Sequence, residues 1–208
     1  MKTQKQSAAQ LLAQTQPTFN KFAIGVALMV LTTAACAGQS GPTESSKTHE
    51  MILAPDAFVA IDTPKGWVRS EGPGLAYFLR EGDKPRHADV WIYVDYADTG
   101  QHAKDKDMNS FINSDIAAFK RRFKNGTVQR EDPLALPRVK SQATVYSFRS
   151  GERKNAFEEI AYIGDVRHVW ILALSATNRD ALTSALPAFR DFVQTYGGSI
   201  IMGSPDEK

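Results

Sequence analysis

Val166-Arg167-His168-Val169-Trp170-Ile171-Leu172-Ala173-Leu174-Ser175-Ala176 is apolar on both alternating sets from Val169 onward. Successive side chains of a strand point to opposite faces, so such a run is buried on both sides and needs cover on both. The stretch predicts a central strand with a helix over each face of its sheet, an α/β/α sandwich. Residues 143–149 and 156–163 upstream also read as strands. The links between them, Ser150-Gly151-Glu152-Arg153-Lys154 and Gly164-Asp165, are short enough for hairpins. The second half of the chain is therefore an antiparallel meander.

Downstream, Leu182, Leu186, Phe189, Val193 and Tyr196 recur at spacings of 4, 3, 4 and 3, one face of a helix. Thr177 and Asp180 form a capping pair at its start, Gly197-Gly198 ends it, and Pro187 predicts a kink or a broken first turn. Further upstream, Phe58-Val59-Ala60-Ile61-Asp62 alternates and is stopped by the turn chemistry of Thr63-Pro64-Lys65-Gly66. Residues 75–79 and 90–96 read as an antiparallel pair. Ile112, Ile116, Phe119 and Phe123 give the other helix, capped near Asn109 or Ser110 and closed by Gly126. A short strand at 127–131 and a loop from Asp132 to Pro137 complete the order. The expected class is α+β, with an antiparallel sheet of about six strands and helices on both faces.

The chain has one cysteine, Cys36, where an apolar run from Phe22 to Ala35 gives way to Ala37-Gly38-Gln39-Ser40. Lys21, the apolar run and the small residues of Thr32-Thr33-Ala34-Ala35 supply the parts of a secretory signal in order. The run is too short to cross a hydrocarbon core about 30 Å thick at about 1.5 Å per residue. Ala34, Ala35 and Cys36 resemble the bacterial lipobox, in which the cysteine becomes the lipidated first residue; Thr33 stands where Leu is usual. The resemblance implies lipidation of Cys36. Cleavage after Thr33-Ala34-Ala35 or Ala35-Cys36-Ala37 and release of a soluble protein is the competing reading. The domain plan is a signal peptide with an extended leader over 1–35, the lipidated cysteine and a flexible tether over 36–49, one domain over 50–202, and a polar tail over 203–208.

Three of the 25 basic residues, Lys2, Lys5 and Lys21, lie in the leader, which holds none of the 23 acids. The exported part is therefore close to neutral, which argues against nucleic acid as a partner. Beyond Cys36 there is no thiol, so the folded part makes no disulfide and offers no thiolate to a metal or substrate.

The opening Phe58, Ile61, Pro64, Gly66 and Trp67, with Glu159-Ile160-Ala161-Tyr162-Ile163 followed by Val169-Trp170-Ile171-Leu172, resembles the PsbP-like domains. That group includes PsbP of photosystem II, the DcrB-type envelope lipoproteins and the Ran-binding Mog-type proteins. The resemblance spans nearly all of residues 50–200 and implies an α/β/α sandwich whose members mostly bind or assist other proteins. It carries no catalytic residue set.

The remaining candidates for chemistry have bland readings. His49 falls in the tether, His87 and His102 in polar loops, and His168 on a strand beside Trp170, so no two have metal-ligand spacing. His87-Ala88-Asp89 and the stretch from His102 through Asp105 read as solvated loops. Glu158-Glu159 are strand neighbours, which point to opposite faces and cannot act as acid and base on one substrate. Lys120, Arg121, Arg122 and Lys124 complement the C-terminal dipole of their helix. Asn125-Gly126-Thr127, formally a glycosylation acceptor, reads as a helix-ending turn. Trp67, Trp91, Tyr93, Tyr96 and Trp170 read mainly as core, and a ring exposed beside the Asp132–Pro137 loop is the expected contact surface.

The expected function is an exported, lipid-anchored, non-enzymatic domain without metal or cofactor, on the periplasmic or extracellular face of the envelope. It meets the membrane through Cys36 and binds or helps assemble an envelope protein. Alternatives are a small-ligand or enzymatic site of dispersed residues, and a purely structural lipoprotein.

Overall fold

The computed structural model describes residues 48–99, 108–151, 156–165 and 168–202. The signal, Cys36, most of the tether, His102, Asp105 and the 203–208 tail lie outside them.

Eleven strands and two helices run in the order β1 (His49–Leu53), β2 (Ala57–Asp62), β3 (Trp67–Ser70), β4 (Ala76–Arg80), β5 (Val90–Asp98), α1 (Met108–Arg122), β6 (Thr127–Arg130), β7 (Leu134–Leu136), β8 (Ser141–Arg149), β9 (Phe157–Gly164), β10 (His168–Ala176), α2 (Arg179–Gln194) and β11 (Ser199–Ile201) among the described residues. The main sheet has eight strands: β3-β4-β5-β10-β9-β8-β6 in order, with β7 also on β8. A separate sheet, β1-β2-β11, has three. The expectation of about six strands is thus corrected. β3, β6 and β7 are only four, four and three residues long and mostly exposed or half-buried, so they lack a strand's apolar alternation.

β10 is buried along its whole length and is hydrogen-bonded by β5 and β9 in the middle of the sheet. Trp170, Leu172, Leu174 and Ala176 pack with Leu182, Ala185, Phe189, Phe192 and Val193 of α2. Val169, Ile171 and Ala173, on the opposite face, pack with Ile112 and Phe119 of α1. A helix therefore covers each face. The α2 side also takes the small sheet, which contributes Ile52, Val59 and Ile61 to the same core.

Local chemistry differs from the sequence expectation at several ends. The helix α1 is already running at Met108, so Asn109 and Ser110 are helical residues and do not cap it. Gly126 ends the following turn, and a side chain there would meet the Phe119 ring at 2.6 Å. In α2 the cap is Asn178, whose side chain accepts from the Ala181 N–H at 2.8 Å. Thr177 instead donates to the Asp89 carboxylate at 2.9 Å. The helix is continuous through Pro187, far beyond its first turn, and closes at Thr195, before the glycine pair. The expected Asp132–Pro137 loop contains β7, paired along Ser141–Ala143 of β8. His49, expected in the tether, opens β1 opposite Asp62. The turn before Trp67 is as expected: Gly66 has φ of 77° and the Trp67 N–H donates to the Pro64 carbonyl.

Candidate contact surface and the polar clusters behind it

In β1-β2-β11 the inward residues Ile52, Ala57 and Val59 are fully buried and Ile61 nearly so. Cross-strand partners lie on one face of a sheet. Leu53 and Ile200 both oppose Phe58, and Met51 opposes Ala60, so these residues share the outer face. Met51 and Leu53 are each 59% exposed and Ile200 58%, with half-buried Phe58 between them. Met202 just beyond β11 is exposed as well. The large exposed apolar side chains among the described residues are aliphatic, and no ring beside β7 is exposed. The ring expected to be exposed there is absent among the described residues, because strand patterning and core packing absorb the aromatic side chains.

Two polar clusters fasten the small sheet to the main body. Asp62 accepts from Arg138 Nη2 at 2.6 Å and Nη1 at 3.2 Å, and lies 2.5 Å from His49 Nδ1. Its backbone N–H donates to Thr195 Oγ1, while Arg138 also donates to the Thr195 carbonyl. Burial raises the Asp62 carboxyl, but the hydrogen bonds and charges of Arg138 and His49 outweigh it and hold the group below its ordinary range. At the other end, fully buried His168 places Nε2 at 3.1 Å from both oxygens of Asp56. The His168 N–H donates to Asp165 Oδ1 at 2.7 Å; its Nδ1, 3.4 Å from the same oxygen, lacks hydrogen-bond alignment. Asp165 Oδ2 accepts from Trp170 Nε1 and from the Ser199 hydroxyl that starts β11. The β1–β2 turn, β10 and β11 therefore converge on this buried imidazole.

A third cluster lies under α1. Glu158 and Ser175 are opposed across β9 and β10, and the Ser175 hydroxyl donates to the carboxyl. Tyr162 donates to Asp115 Oδ2 of α1 at 2.6 Å. The Tyr93 hydroxyl is within the influence of Glu158 but has no well-aligned bond. Burial pushes Glu158 up to about 7; the Ser175 and Tyr93 hydroxyls oppose the rise and the Asp115 charge adds to it. Burial likewise drives Tyr93 and Tyr162 well above the ordinary phenol range, helped by the nearby carboxylates.

Glu158 and Glu159 do face opposite ways. Glu159 turns toward α2, 3.6 Å from Arg190 Nε. Among the described residues no group of three His, Cys, Asp or Glu is placed to hold a metal. His87 sits exposed in its loop, while Lys120, Arg121, Arg122 and Lys124 are exposed at the end of α1 and beyond. Sequence reasoning missed Asp56, Asp62, Asp115, Arg138 and Asp165. The first, second and fifth stand at strand ends or turns, where any polar residue is ordinary; only the fold shows which are buried.

The arrangement is an α+β domain with a helix on each face of an antiparallel sheet. No family model matches the chain, and no curated protein matches it. Among solved structures, it is similar to cyanobacterial PsbP (CyanoP) from Synechocystis sp. PCC 6803, at 11% identity over 76% of this chain and 96% of that one, with a TM-score of 0.43. It is also similar to the Ran-binding protein Mog1p of Saccharomyces cerevisiae, at 9% identity over 73% and 95%, with a TM-score of 0.47. A third is a Pseudomonas aeruginosa protein of unknown function, at 12% identity over 76% and 98%, with a TM-score of 0.41.

Proposed function

We propose that this protein is an exported, lipid-anchored, non-enzymatic domain that works by contact at a membrane of the cell envelope, where it binds or helps assemble a protein partner. The observation that supports contact at a membrane most directly is the open apolar face of β1-β2-β11, whose first strand begins at His49, thirteen residues after Cys36. Soluble domains seldom leave several large aliphatic side chains together in water unless the patch makes a contact. Cys36→Ser tests the reading. The wild-type chain is expected in the membrane fraction, where in-membrane crosslinking captures a stoichiometric partner, and the variant is expected to leave that fraction. Retention of the variant, or no partner at all, contradicts it.

A small-ligand or enzymatic site has one specific observation in its favour: several polar groups converge on Glu158, whose titration is raised to about 7. Those groups are buried between the sheet and α1, and among the described residues they present no open surface to a ligand.

A further inference from the structure

We propose that the outer face of β1-β2-β11 seats on the lipid bilayer itself, orienting the domain with α1 directed away from the membrane. The inference rests on lipidation of Cys36.

The length of chain between anchor and face argues for this occupant. Residues 37–48 separate Cys36 from the first residue of β1. Twelve residues reach at most about 40 Å when extended, and about 20 Å on average as a random coil. An anchored domain therefore carries this face within reach of the bilayer at all times, so weak apolar contacts act at a high effective concentration. Neither flanking segment has a large apolar residue to lay on the face: residues 37–48 read Ala-Gly-Gln-Ser-Gly-Pro-Thr-Glu-Ser-Ser-Lys-Thr and residues 203–208 Gly-Ser-Pro-Asp-Glu-Lys.

The chemistry of the face agrees. Met51, Leu53, Phe58, Ile200 and Met202 present flexible aliphatic and aromatic surface. Each carboxylate described on this sheet and its β1–β2 turn has a basic or imidazole partner: Glu50 with Arg69, Asp56 with His168, Asp62 with Arg138 and His49. Exposed Lys140 follows Arg138 in the turn that reaches this sheet. An apolar face whose neighbouring acids are paired suits the interface of a bilayer. A lipid chain and an apolar face are then two membrane signals on one domain.

The test uses the full-length protein, purified from membranes and reconstituted into vesicles of phosphatidylcholine and phosphatidylglycerol. With the native cysteine acylated, Leu53→Cys, Ile200→Cys and, on α1, Lys120→Cys each supply one free thiol for an environment-sensitive fluorophore. Labels at 53 and 200 are expected to shift to the blue and to be quenched by spin-labelled lipid several-fold more than the label at 120. Adding Met51→Asp is expected to abolish that difference while the intact mass still shows the lipid. Equal quenching at all three positions in protein whose mass shows the lipid overturns the inference and leaves the anchor standing. So does crosslinking of positions 53 and 200 to a protein or to a second copy of this chain. A mass without the lipid overturns the anchor, and the inference with it.

Discussion

Two buried carboxylates on opposite sides of the main sheet, Asp62 and Glu158, are held in opposite ways. On the side of α2 and the small sheet, Asp62 is held by Arg138 and His49, Asp56 by His168, and Glu159 faces Arg190. Under α1, Glu158 meets a serine hydroxyl and a phenol, with the Asp115 carboxylate beside them. Asp62 is accordingly held below its ordinary range and Glu158 pushed up to about 7. Burial alone thus does not decide a carboxyl's state: the cations bonded to Asp62 reverse its effect, whereas Arg190, 3.6 Å from Glu159, leaves that carboxyl raised. The carboxyl seated under α1 is thus the one brought into the neutral range.

Glu158→Gln should break this contrast with the largest effect. A carboxyl raised in the folded state holds its proton more tightly there, so its favourable contribution is full below about pH 4.5 and is lost as the pH climbs through about 7. Denaturant unfolding should show the wild type losing roughly 3 kcal/mol between pH 4.5 and 8 from this group alone. The Gln variant should match the wild type at pH 4.5 and exceed it at pH 8. Parallel pH curves for the two proteins would show that α1 does not sit on a titrating carboxyl.

Arg138→Met comes next. It leaves buried Asp62 with only the exposed His49, at a cost of about 2 kcal/mol at neutral pH. A depressed carboxyl contributes above its unfolded value, 3.8, and loses that contribution as the pH falls through its folded value. The gap between variant and wild type should therefore close toward pH 3, opposite in direction to the Glu158 effect. The smallest change is expected for Arg69→Met, which removes the Glu50 pair at 3.1 Å among exposed side chains. Surface pairs of this kind contribute below about 0.5 kcal/mol, and salt should erase even that. A loss comparable to that of Arg138→Met would mean that the small sheet is fastened along its length instead of at its two ends.

Much of the frame was legible in the sequence because it is written as periodicity. β10, α1 and α2 each declare themselves by apolar residues at intervals of one, or of three and four, and the cover on both faces follows from Val169 to Ala176 alone. The small sheet was half legible. β2 alternates, but β1 and β11 are too short and too exposed to signal, and β11 reaches β2 only by pairing across most of the domain. The polar clusters left no local pattern: Asp56, Asp165 and His168 lie far apart in sequence or in an ordinary turn, and tertiary folding alone joins them. The apolar outer face was missed for a related reason. Met51, Leu53 and Ile200 carry no periodicity of their own, and only register places them opposite Ala60 and Phe58 on the open side.

The intact mass of the membrane-extracted protein decides whether Cys36 anchors this domain to a membrane, as proposed. A chain that begins at Cys36 and carries a diacylglyceryl adduct, absent from Cys36→Ser, is expected. An unmodified chain, or one beginning at another residue, would contradict it.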